Sequence, residues 1–117
     1  MNLTEFGVAV RKARLEAKVS LQGMAKDLDV SPAYLSSLEV GRKKVPGEWV
    51  KKIETYFYAK RVRVPNLAKL ADVSNKTVSL EGMNAQQAMM LAGFARTSLT
   101  RGQMQQLAKL LKQFEEE

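Results

Sequence analysis

SPAYLSSLEVGRKK, residues 31–44, follows directly on SLQGMAKDLDV, residues 20–30. Together they read as a helix, a tight turn and a second helix that ends in glycine and a basic cluster. Ser31 is a good N-cap because its hydroxyl accepts a bond from an orphan backbone N–H. Pro32 at the first helical position gives up a donor that would be unpaired anyway. Leu35 and Leu38 point inward one turn apart, and Gly41 supplies the left-handed residue that stops the helix.

Working outward, a first helix spans about Thr4 to Ala17, with Phe6, Val10, Ala13 and Ala17 as its buried stripe. Ser20 caps the next helix, whose apolar face is Leu21, Met24, Ala25 and Leu28. Asp29-Val30 forms the turn, and the helix from Pro32 to Val40 follows. A loop from Gly41 to Gly47 carries Arg42, Lys43 and Lys44. Beyond it, Val50, Ile53 and Phe57, widened by Trp49 and Tyr56, mark a fourth helix. Pro65 starts a short helix to about Ala71, and KTVSL, 76–80, is rich in β-branched residues and reads as one short strand. Asn84 with Gln87, and Thr100 with Gln103, resemble capping boxes that open helices to about Thr97 and Phe114. The division expected is residues 1–63 as one domain and 64–117 as a helical extension.

Composition narrows the chemistry. The 117 residues include no cysteine and no histidine, which removes zinc fingers, thiol nucleophiles and histidine-dependent triads. No glycine loop of the phosphate-cradling type is present, and the carboxylates are scattered. An enzyme is not expected, nor is a cofactor or a metal. The N-terminus has no basic segment leading into an apolar run, and no stretch approaches the roughly 18 to 20 apolar residues of a membrane helix. A cytoplasmic, nucleoid-associated protein is the expectation. Charge is uneven: residues 1–63 hold 13 basic and 7 acidic side chains, and residues 64–117 hold 6 and 5. An excess of +6 on the half with the helix–turn–helix pattern fits binding to a polyphosphate.

Three stretches carry a family resemblance: FGVAVRKAR in the first helix, VSLQGMAKDLDVS across the second helix and the turn, and SPAYLSSLEVGRKKVP after it. Over residues 6 to about 57 the chain resembles the XRE family, the lambda-repressor/Cro-like helix-turn-helix regulators of bacteria and their phages. The resemblance implies an all-α, lambda-repressor-like helix-turn-helix bundle followed by the C-terminal helical extension. It also implies an ion pair between Arg14 of the first helix and Glu39 near the end of the third. Two positions depart from the family pattern. Asp29 stands where a small or permissive turn residue is usual, and Leu21 where a phosphate-touching glutamine is frequent.

The implied activity is sequence-specific binding of double-stranded DNA, with the helix from Pro32 in the major groove. Its outward arc carries Ala33, Ser36, Ser37 and Val40, with Pro32 and Tyr34 at the edges, and these are the expected base readers. Serine can donate or accept, and alanine or valine can touch a thymine methyl, but none makes a bidentate contact. DNA shape therefore contributes part of the specificity. Arg42, Lys43 and Lys44 stand where the family makes backbone contacts. Ser20 at the second helix's N-terminus adds a further phosphate contact, and Lys26 is another.

One such unit binds weakly, so dimers that hold two half-sites about 34 Å apart are the rule for this architecture. In the extension, Met89, Ala92 and Phe94 lie on one helix, and Met104, Leu107, Leu111 and Phe114 recur at a 3-4-3 spacing on the other. Two short helices cannot enclose that much apolar surface. It completes the core, pairs with a second copy across a pseudo-palindromic operator, or grips another protein. The expected function is a dimeric transcriptional repressor. The alternative is the antitoxin of a toxin–antitoxin pair, its tail holding the toxin through an adaptable methionine-rich patch.

Overall fold

Serine and threonine set the starts of the N-terminal helices. The computed structural model describes residues 2–116, and among them the chain forms seven α-helices and no strand. Thr4 caps α1 (Glu5–Ala17), its Oγ1 accepting from the Gly7 N–H at 3.0 Å. Ser20 caps α2 (Leu21–Asp27) in the same way from Gly23 at 2.9 Å. Ser31 caps α3 (Pro32–Glu39) from Tyr34 at 3.1 Å. Between α2 and α3, Asp29 takes up a left-handed backbone at φ 58°, which a short polar side chain tolerates better than most. Gly41, at φ 79°, closes α3 as its sequence position suggested.

α4 (Gly47–Ala59) and α5 (Leu67–Asn75) complete the first unit, which ends at Ser79. Phe6, Val10, Met24, Leu35, Leu38, Ile53, Phe57 and Leu67 form its core, all nearly inaccessible to solvent. The periodic stripes of α1, α2 and α4 therefore face one another as their spacing implied.

α5 differs from expectation. Pro65 sits in a turn, Asn66 adopts φ 61°, and the helix runs on to Asn75 instead of stopping near Ala71. It packs on α1 and α4 and buries Leu67 and Ala71. The first unit thus extends well past residue 63, where the sequence suggested a boundary. The strand expected at 76–80 does not form. Lys76 turns left-handed at φ 59°, and the Thr77 N–H donates to the Asp72 carbonyl, so this stretch begins as a helix end. β-branched side chains supply a preference only, and a strand also needs a neighbouring strand to pair with.

The second unit begins at Leu80 and holds α6 (Ala85–Arg96) and α7 (Arg101–Glu115). Asn84 accepts from the Gln87 N–H at 2.8 Å. Thr100 and Gln103 make both bonds of a capping box, at 3.1 and 3.0 Å. Neither helix has a buried residue among those described.

Candidate nucleic-acid interface

The C-terminal end of α3 is fixed by α1 through three separate contacts. Arg14 and Glu39 form a two-pronged ion pair, Nη1 to Oε2 and, at 3.2 Å, Nη2 to Oε1, with both side chains buried. Thr4 donates to the Glu39 carbonyl from its backbone N–H at 3.0 Å and from its hydroxyl at 2.9 Å. Gly7 lies so close that a Cβ there would stand 2.1 Å from the Glu39 oxygen. Only a glycine permits that approach. The pairing of Arg14 with Glu39 was legible in the family resemblance, whereas Thr4 and Gly7 were not singled out. The one available signal was a glycine on the apolar side of a helix, a position where it costs about 1 kcal/mol relative to alanine.

The outer side of α3 presents Pro32 and Ala33, both exposed, with Ser36 and Val40 half-buried beside them. Tyr34 is half-buried and leans edge-on against Trp49, with ring centroids 5.3 Å apart. Ser37 does not belong to this face. It is only 6% exposed, and its hydroxyl donates to the Tyr34 carbonyl at 2.5 Å. The loop after α3 also folds back on this residue, the Lys43 N–H donating to the Ser37 carbonyl at 3.2 Å. Helical periodicity alone points residue 37 outward, but it takes no account of a returning loop.

That loop carries Arg42, Lys43 and Lys44 on the surface and then buries Val45 in the core. The Lys43 ammonium lies 5.5 Å from the centre of the Tyr34 ring, and Lys52 of α4 lies 4.8 Å from the Trp49 ring. The two edge-on aromatics thus hold one lysine from the loop and one from α4 near their ring faces, each contact worth about 0.5–1 kcal/mol at an exposed site. Lys52 was not anticipated, because its role follows from the position of Trp49 and not from its neighbours in sequence. Lys26 and Ser20 are also exposed, the Ser20 oxygen engaged in capping α2. α2 is tied to α4 where the Tyr56 hydroxyl donates to Asp27 at 2.7 Å. Burial, reinforced by the hydrogen bond to Asp27 and its charge, pushes the Tyr56 phenol up to about 12.

Charge follows the same partition. Residues 1–79 carry 15 basic and 8 acidic side chains, while residues 80–117 carry four of each. The whole excess of +7 therefore belongs to the unit that contains α3. Among the described residues, no group of three histidines, cysteines or carboxylates is placed to hold a metal ion. No helix is long and apolar enough to cross a membrane.

In the second unit, Met89, Phe94, Met104, Leu107, Leu111 and Phe114 are exposed and Ala92 is half-buried. No curated protein and no solved structure matches the chain. The family model described as a helix-turn-helix domain matches residues 5–73, more than half the chain and all of α1 to α4. With α2, the Asp29 turn and the clamped α3 in the arrangement that places a helix in a DNA groove, the chain belongs to the helix-turn-helix domain family.

Proposed function

We propose that this protein is a sequence-specific transcriptional regulator of the lambda-repressor/Cro-like (XRE) kind, acting as a dimeric repressor. α3 enters the major groove with Pro32, Ala33 and Ser36 nearest the base edges and Val40 and Tyr34 on the flanks. Small side chains let the helix backbone approach the groove floor, and direct readout is modest. Arg42, Lys43 and Lys44 grip phosphates on one side of the groove, with Ser20 and Lys26 on the other. Repression requires only occupancy that blocks polymerase, so no chemistry is demanded of the chain.

The observation that carries this proposal is the exposed small-residue face of α3, locked to α1 at Glu39 and followed at once by three exposed cations. Dimerisation is supported by the exposed apolar side chains of α6 and α7 and by the zero net charge of residues 80–117 taken together. A two-fold dimer implies a pseudo-palindromic operator. Selection from random duplexes followed by sequencing tests the proposal, with two inverted half-sites about one helical turn apart as the expected result. If a dimer neutralises on the order of six phosphates, log K falls against log salt with a slope near −5. A flat salt dependence contradicts it.

One observation favours a second reading. Met89 and Met90 are 75% and 70% exposed, and Met104 is also exposed, although methionines at helical spacing ordinarily belong to a core. A flexible thioether surface suits adaptable contact with another protein, as in an antitoxin. Copurification of a toxin bound to residues 80–117 distinguishes the two.

A further inference from the structure

The basic loop after α3 is held at its far end by Asn75, the last residue of α5. At its far end, the Asn75 side chain makes two hydrogen bonds to Val45: the Val45 N–H donates to Oδ1 at 2.7 Å, and Nδ2 donates to the Val45 carbonyl at 2.9 Å. Arg42, Lys43 and Lys44 occupy the span between the end of α3 and this clamp. The Val45 side chain is buried, so its backbone groups depend on Asn75 in place of water. Asn75 lies two residues beyond the stretch matched to the family.

We infer that Asn75 is a positioning residue for phosphate binding, its amide setting the reach of Arg42–Lys44 by holding the Val45 backbone; this rests on the DNA-binding function proposed above. A cation contributes to counterion release only when it is held against a phosphate. A loop freed at one end therefore loses part of the salt dependence as well as affinity. A side chain that served stability alone would leave the salt slope unchanged in the folded fraction.

The full chain and its Asn75→Ala variant are titrated with one selected duplex across a salt series, at temperatures where circular dichroism shows both folded. The slope shrinks by about one, and affinity at about 150 mM salt falls roughly tenfold. Leu67→Ala, buried about two turns earlier in the same helix, lowers the melting temperature and keeps the wild-type slope. A folded Asn75→Ala protein with wild-type slope and affinity overturns the inference alone. Should that variant not fold, hydrogen exchange in the wild type decides, because a Val45 amide exchanging as fast as that of Lys44 contradicts the clamp. Absence of any duplex binding by the wild type in dilute buffer overturns the DNA-binding proposal and this inference together.

Discussion

Glu39 ties the end of α3 to α1 and its N-cap at three residues. Its carboxylate meets Arg14, its carbonyl accepts twice from Thr4, and its backbone abuts Gly7. Gly7→Ala therefore lowers stability by about 3 kcal/mol or more, since the new methyl meets backbone and neither helix can yield without moving α3. Urea unfolding followed by circular dichroism measures it. Arg14→Met leaves a buried carboxylate unpaired and costs about 3–5 kcal/mol, whereas Arg14→Met with Glu39→Leu costs less than the sum of the single changes. A double-mutant cycle on the same unfolding curves checks this. Ser37 shows where reasoning residue by residue stops. Periodicity turns it outward, yet its side chain is buried with its hydroxyl on the Tyr34 carbonyl, and its own carbonyl accepts from a residue six positions later.

At the scale of elements, α1 to α3 were readable because each carries its own start signal and apolar positions at helical spacing, and α4, whose N-cap Pro46 makes no side-chain bond, was readable from its apolar stripe alone. Caps at Thr4, Ser20 and Ser31 act over three residues, so local sequence contains the whole interaction. α5 was misjudged because its end is set by tertiary contacts, the Asn75 amide on Val45 and the buried Leu67 and Ala71. The contact between α2 and α4 supplies a pH-dependent prediction. Tyr56 is raised from 10.0 to about 12 by burial and by Asp27, so its neutral form is favoured in the folded state. Its contribution is fully present below pH 10 and is lost as pH rises towards about 12. Tyr56→Phe flattens that segment of the stability-against-pH curve relative to wild type, as measured by thermal melts between pH 9 and about 12.

The whole molecule divides into a basic unit with a buried core and a second unit, residues 80–117, that has zero net charge and whose two helices bury no residue among those described. The 3-4-3 pattern of α7 was visible in the sequence, but a pattern of apolar residues does not say what covers them. Homodimerisation through this segment predicts twice the chain mass by light scattering at micromolar concentration. Leu107→Glu with Leu111→Glu converts it to one chain mass and weakens operator binding about tenfold or more, because two half-sites are no longer held together. The melting transition of the first unit is unaffected, since neither leucine belongs to its core.

The central claim is that the exposed side of α3 and the loop behind it meet DNA. Amide chemical-shift mapping of the full chain with its selected duplex tests this most directly. The expected perturbations cluster at Ala33 to Ser36 and at Arg42 to Lys44, with a smaller set at the start of α2 around Ser20. Perturbations confined to residues 80–117, or none at all in dilute buffer, would contradict it.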